Sequence, residues 1–301
     1  MRRIISVAVV AAVVLTALSI LQFGPLRPSI AVAHTPGGAP TVHPPSPPTY
    51  DYDTVTPGTQ PPTSPLLAGS TARILETLAL SVFATVPQAE LQAVLPGGFI
   101  ATESPAGSGL AVITLRFRFQ ERIEQLGGGT FGPASGLVVF HTALNTALNR
   151  PELLILAAEF SDASLVNGWR AVFGPGSSRL ADVEVEIKEK GEQLQLKFDV
   201  EDEAIGLSVK IQAEGPAAIT RRTHSDPFNL PIRPLNDGIF ANPAHRSSNM
   251  GDVQIVEANL ELDAAGGQLH LPGGVLTIAG LAPNVAFVRA FESFFRPESQ
   301  D

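Results

Sequence analysis

Between Val183 and Ile211 the apolar side chains recur with a period of two. Val183, Val185 and Ile187 alternate with Glu184, Glu186 and Lys188, and after Lys190-Gly191-Glu192 the pattern resumes in Leu194, Leu196, Phe198 and Val200. Leu207, Val209 and Ile211 carry it further. Only a strand puts successive side chains on opposite faces, so this stretch predicts a hairpin followed by a third strand, each with one face buried and one wet. The same signal appears earlier. In Leu110–Gln120, Ile113, Leu115, Phe117 and Phe119 take one face, and Val112, Thr114, Arg116 and Arg118 the other. Apolar runs at 78–86, 136–141, 153–160, 253–262 and 275–278 read as further strands. Strands at intervals of roughly 8–15 residues with turn signals between them suit an antiparallel barrel or a curled sheet, in a mainly β (α+β) domain.

Helical signals are few. Pro87 suits a helix start, Leu91, Val94 and Leu95 make an i, i+3, i+4 face, and Pro96-Gly97-Gly98 ends it. Ser161 to Val166 reads as a short helix that Ser161 or Asp162 caps. Asn284 to Phe295 reads as a closing helix, with Val288, Phe291 and Phe295 on one stripe.

The chain divides into three. Residues 1–33 open with Arg2 and Arg3, followed by an uncharged, almost wholly apolar stretch from Ile4 to Phe23. As a helix that stretch would reach about 30 Å, the thickness of a bilayer core. Ala31-Val32-Ala33 offers a cleavage signal. A cleaved signal peptide and a retained membrane anchor both fit, and both place the following chain outside the cytoplasm, secreted or membrane-tethered, with the arginines inside. Residues 34–70 hold ten prolines among 37 residues, the composition of an extended spacer. Residues 71–301 are long enough for one large domain.

Charge and composition exclude several functions. Residues 71–301 carry 17 basic and 27 acidic side chains, and the one dense basic spot is Arg221–Arg222 beside His224. Nucleic acid, whose backbone demands a basic patch, is not an expected partner. The absence of cysteine removes thiolate chemistry and cysteine metal ligation. The six histidines show no metal-ligand spacing, and no GxSxG, P-loop or GxGxxG segment occurs. No cofactor and no metal are implied, and self-association is left open.

The segment Phe160–Arg179, FSDASLVNGWRAVFGPGSSR, resembles the active-site segment of the acetoacetate decarboxylase superfamily. There a short helix runs into a glycine and, seven residues later, a proline, the spacing of Gly168 and Pro175. The strand, short helix and proline-glycine stop at 78–99, and the proline-bracketed segment Asp226–Gly238, resemble the same superfamily, so that the likeness covers roughly residues 76–295. The resemblance implies a barrel-like fold and a lysine pair after the proline, the first lysine forming a Schiff base with a keto acid. Here those two positions hold Gly176 and Ser177. The family's glutamate position falls at Pro133 or Ala134, and its first-strand arginine near Thr77, with Arg73 close by. Only scaffold positions therefore transfer.

Imine chemistry needs an amine that is neutral at working pH, which burial or a second cation achieves. The four lysines, Lys188, Lys190, Lys197 and Lys210, fall on polar strand phases or in a turn. The remaining candidates for a ligand site are Arg116 and Arg118, which could bind a carboxylate if their phase faces the interior, and His141, Trp169 and Arg170 at the same mouth. These residues admit three functions: non-covalent binding of a small apolar or carboxylate-bearing molecule, lyase-like chemistry on a small organic acid without a Schiff base, and a surface interaction module with a solid core.

Overall fold

The structure is a computed structural model, described for residues 70–125, 129–219, 222–224, 230–236, 239–240 and 245–297. The expectations for residues 1–33, for the spacer up to residue 69 and for Arg221 of the basic pair lie outside those residues. Among the described residues no helix is long and apolar enough to cross a membrane.

In chain order the elements are β1 (Ala72–Pro87), α1 (Gln88–Val94), β2 (Phe99–Ala101), β3 (Leu110–Gln125), β4 (Thr130–Asn145), β5 (Arg150–Phe160), α2 (Ala163–Phe173) and β6 (Arg179–Leu180). Then come β7 (Asp182–Lys190), β8 (Gln193–Asp202), β9 (Leu207–Pro216), β10 (Arg222–His224), β11 (Leu230–Asn236) and β12 (Ile239–Phe240). The last are β13 (His245–Glu257), β14 (Asn259–Ala264), β15 (Gln268–Leu271), β16 (Gly274–Thr277) and β17 (Gly280–Pro297). The fold is mainly β, as the alternation predicts, and the hairpin of β7 and β8 has the expected register, Val185 opposite Phe198 and Ile187 opposite Leu196.

The long strands form one sheet in the order β10-β13-β17-β1-β3-β4-β5-β11-β12. The sheet curls. β11 pairs in parallel with β5 and antiparallel with β13, so the hydrogen-bonded path from β13 through β1 returns to β13 at this end. Two parallel pairings, β5 with β11 and β5 with β6, depart from a purely antiparallel sheet. A second sheet, β14-β9-β8-β7, packs its inner face on one side of the first. Between the two lies the larger core, where Leu78, Leu80, Leu115, Phe117, Leu137 and Leu156 meet Leu194, Phe198, Val209 and Ile211. On the other side α2 fills the concavity of the curl. The residues gathered around it include Ile74, Ile123, Val138, Ile155, Ile232 and Phe295, and so come from six strands of the ring, while His245 of β13 meets Phe173 edge-on at 5.3 Å.

Two elements differ from expectation. The closing helix is a strand, β17, the central neighbour of β1 and β13. Both of its faces are buried, Val285 and Phe287 in the larger core and Ala286 and Val288 in a small cluster on the other side. A strand covered on both sides has no period-two signal, and its apolar run is indistinguishable from a helical stripe. The helix foreseen for 161–166 runs instead from Ala163 to Phe173. Asp162 caps it, accepting from the backbone N–H of Ser164 at 2.8 Å and of Leu165 at 3.3 Å. Gly168 lies mid-helix because the helix there touches β4: a Cβ at 168 would stand 2.7 Å from the Cβ of Phe131.

Alanine has the higher helix propensity by about 1 kcal/mol, yet Gly168→Ala is expected to destabilise the domain by about 1–3 kcal/mol through this overlap. Urea denaturation midpoints measure it, and a stabilised variant would mean that α2 does not press on Phe131.

Candidate functional site

Arg116 and Arg118 lie on the concave side of the curl, facing α2, because the intervening Leu115 and Phe117 are committed to the larger core. Their strand neighbours are Ser81 and Ala79 of β1 and Val138 and Gly136 of β4. Arg116 donates from Nε to Glu76 Oε2 at 2.9 Å and from Nη1 to Ser81 Oγ at 3.4 Å, and its guanidinium lies 4.7 Å from the centroid of Phe291. Arg118 donates from Nη1 to Glu121 Oε2 at 2.5 Å, stands 3.3 Å from Glu76 Oε1, and stacks 5.4 Å from the Trp169 ring. Trp169 in turn donates from Nε1 to Glu121 Oε1 at 2.5 Å.

Two guanidiniums, two carboxylates and the indole N–H therefore form one network in which Glu76, Arg118 and Glu121 are buried. Burial works to lower the Arg118 pKa, but the charges of Glu121 and Glu76 outweigh it and hold it above its ordinary value. Burial pushes Glu121 up, against the pull of Arg118 and of the Trp169 N–H. The backbone makes the cluster possible. Gln120 has φ 50, and the register of β3 against β4 shifts between Arg118 and Glu121, which turns both side chains to the same side.

His141 is not part of this network. It sits on β4 between Val139 and Ala143, on the face that lines the larger core. Its Nδ1 is 2.8 Å from the carbonyl of Val112, to which it donates, and its Nε2 accepts from the Thr102 N–H at 3.4 Å. Burial lowers its pKa to about 4, so the ring is neutral and both nitrogens are used. Arg170 lies on the exposed side of α2, where its guanidinium donates to the carbonyl of Ser178 at 2.9 and 3.2 Å and ties the helix end to the next turn. Of the five candidates, Arg116, Arg118 and Trp169 come together, while His141 and Arg170 lie elsewhere.

The turn after α2 has a shape of its own. Gly174 closes the helix, its N–H donating to Arg170 O at 2.9 Å, and Gly176 adopts φ 78, the left-handed region that side chains with a Cβ rarely enter. Ser178 Oγ donates to the Val166 carbonyl at 3.0 Å, and the buried Ser177 hydroxyl has no hydrogen-bond partner among the described residues. All four lysines are exposed and belong to the second sheet. Lys188 and Lys197 pair with Glu186, and Lys210 with Asp199 at 2.5 Å.

The sequence reading passed over the carboxylates that matter most. Glu76 and Glu121 complete the arginine network, and Glu159 stands alone in the apolar run LLILAAEF. Glu159 lies on β5 opposite Leu137 and Arg179, facing Asp202 at the end of β8. Among the described residues neither of its oxygens meets a partner at full hydrogen-bond geometry, and the Oδ2 of Asp202 is likewise unpaired. Burial first, then the Asp202 charge and the hydrogen bond that protonated Glu159 offers it, raise Glu159 to about 9, with Arg179 opposing. An isolated carboxylate within an apolar strand was the available signal. Across the second sheet runs an open groove of about 840 Å³, lined by Asp199, Lys210, Glu261 and Asp263 among others. Among the described residues no three His, Asp or Glu side chains group as a metal site.

No protein-family model matches this chain, and no curated protein matches it. Solved structures that its fold resembles include acetoacetate decarboxylase from Legionella pneumophila, at 13% identity and a TM-score of 0.46 over 77% of this chain and 88% of that one. The enduracididine biosynthesis enzyme MppR complexed with pyruvate matches at 14% identity and a TM-score of 0.47, over 81% and 98%. An acetoacetate decarboxylase-like enzyme from Sphingomonas wittichii matches at 10% identity and a TM-score of 0.42, over 81% and 99%. By its own strands the fold is mainly β. No residue role passes from those proteins to this chain.

The Glu159 carboxyl, neutral in the fold with a pKa near 9 and charged above pH 4.5 once unfolded, binds one more proton in the native state across that window. Stability therefore falls as pH rises from about 4.5 to 9. Glu159→Gln removes this term, so the variant's advantage over the parent is expected to grow with pH. Chemical denaturation at pH 5, 7 and 9 reads it, and a constant difference would mean that Glu159 is ionised in the native protein.

Proposed function

We propose that residues 71–301 form an exported domain that binds a small molecule non-covalently, on an acetoacetate decarboxylase-like scaffold that does no Schiff-base chemistry. The observation that carries this reading is the placement of the amines. Every lysine of the chain is on the exposed side of the second sheet, and the turn after α2 offers a left-handed glycine and a hydroxyl where the sequence resemblance calls for two lysines. The hydrogen bond to Asp199, with the Asp199 and Glu201 charges, raises the Lys210 pKa, and a protonated amine is not a nucleophile.

The ligand's chemistry is narrowed by the arginines. Glu76 and Glu121 already neutralise Arg116 and Arg118. A ligand carboxylate would have to displace a buried carboxylate to reach them, which favours an apolar or cationic ligand over an anionic one. A lyase reading that needs Arg116, Arg118 and His141 in one pocket is weakened, because His141 lies on the opposite face with both nitrogens engaged. Export rests on Arg2, Arg3 and the apolar stretch 4–23.

Incubating the full chain with acetoacetate and borohydride is expected to leave its mass unchanged; a trapped adduct on any lysine would overturn the non-covalent reading. Protease added to intact cells is expected to digest the domain, whereas protection until lysis would place it in the cytoplasm.

A further inference from the structure

The second sheet ends on β7. Among the described residues this strand pairs with β8 alone, and no strand is hydrogen-bonded to its other edge. Exposed edges are ordinarily blunted by shortness, by proline, by a bulge or by a charge pointing inward. β7 has nine residues, no proline and an unbroken register with β8 from Asp182 to Lys190. Its inner phase, Val183, Val185 and Ile187, is only half buried where it packs on the larger core. Glu189, the one charge in that phase, lies at the far end and is held by Arg289 at 2.8 Å. Leu180, 57% exposed and the most exposed large apolar side chain among the described residues, stands two positions before the strand.

The outer phase of β7 has a direction. It reads Asp182, Glu184, Glu186, Lys188, Lys190, acidic first and basic last. Within the molecule this order is poorly matched. β8 sets Glu201 opposite Asp182 and Asp199 opposite Glu184, and like charges directly across a strand pair destabilise it. Asp182, Glu184 and Lys190 have no ion pair among the described residues, whereas Lys188 pairs with Glu186.

We propose that β7 is the contact between two copies of this chain, which pair these edges antiparallel about a two-fold axis and continue the sheet from one molecule into the other. Antiparallel pairing lays the acidic half of one strand against the basic half of its mate. With Glu186 on the axis, Asp182 faces Lys190 of the second copy and Glu184 faces its Lys188, each pair occurring twice. Opposite charges directly across a strand pair stabilise it. On the inner phase Val185 faces Ile187, so the half-buried row gains cover. The two Glu186 carboxylates that meet on the axis each keep Lys188 and Lys197 of their own chain. A shift that puts Ile187 on the axis sets Glu184 against Lys190 and Glu186 against Lys188, so the complementarity belongs to the direction of the strand and not to a single register. β14, the opposite edge of the sheet, carries Glu261 and Asp263 with no basic residue and does not match itself.

Sedimentation of the full chain in detergent over a dilution series tests the contact, with the parent, Asp182→Lys/Glu184→Lys and Lys188→Glu/Lys190→Glu compared. The parent's protein mass is expected to double with concentration. Each charge-reversed variant is expected to stay monomeric over the same range, and an equimolar mixture of the two to form a heterodimer. A parent that is monomeric throughout overturns the proposal. Variants that dimerise alone as the parent does overturn β7 as the contact, which is also the result if the apolar stretch 4–23 drives association. Assemblies that grow beyond the dimer overturn the closed pair in favour of β7 on β14, and a mixture that stays monomeric overturns the charge matching. The chain has no cysteine, so Glu186→Cys gives a second readout without charge reversal. A short bismaleimide is expected to link two copies of this variant, but not of Lys210→Cys, whose site lies on an inner strand of the same sheet. Equal linking of both variants, or of neither, overturns the contact.

Discussion

Beyond Leu78, the side chains of β1 that meet the second sheet are Leu78, Leu80 and Val82, whereas before it Ile74 joins the residues around α2. β3 makes the same exchange: Leu115 and Phe117 lie in the larger core, and after the left-handed Gln120 it is Ile123 that lies beside α2. One pair of neighbouring strands thus serves two cores on opposite faces, and the change of phase occurs at the same height in both. A strand with unbroken alternation could bury only one of these sets. The irregularity at Gln120 also turns Glu121 toward Arg118. The geometry that allows two cores therefore creates the buried ion network between them.

That network is costly to bury. Removing a charged group from water costs several kcal/mol after relaxation, and loss of one partner from a buried pair destabilises by about 3–5 kcal/mol. Arg116 and Arg118 are consequently paired with Glu76 and Glu121 as structural counter-ions, and the Trp169 N–H donates to Glu121. The interior of the curl is occupied by α2, its aromatic side chains and this ion-paired cluster. The less constrained chemistry lies on the outer face of the second sheet, where charges are hydrated and need not be matched.

Where one face is buried and one is wet, the sequence displays its structure directly. β7, β8 and β9 alternate, and their register could be read from Val185, Phe198 and Ile211. β17 could not be read this way, because Val285 to Val288 are buried on both sides and the left-handed Ala290 breaks the phase again. Gly168 was legible as a special position but not for its cause, since contact with Phe131 is a tertiary fact. Arg116 and Arg118 stood out as charges within an alternating strand, but which carboxylates they meet depends on residues 40 positions away, as with Glu76. The Glu159 and Asp202 carboxyls are brought together by packing of two sheets that no local pattern links.

The described chain begins at Ser70 and enters at once into β1, which lies in the middle of the curled sheet with β17 on one side and β3 on the other, both antiparallel to it over nearly its whole length. Any tension delivered from the N-terminal side thus arrives at a central strand. A pull along its axis loads both hydrogen-bond ladders in shear, so that the rungs resist together instead of parting one at a time. A domain held by this end has its mechanical anchor in its most heavily paired strand, and the carboxyl-terminal strand shares the load as its partner.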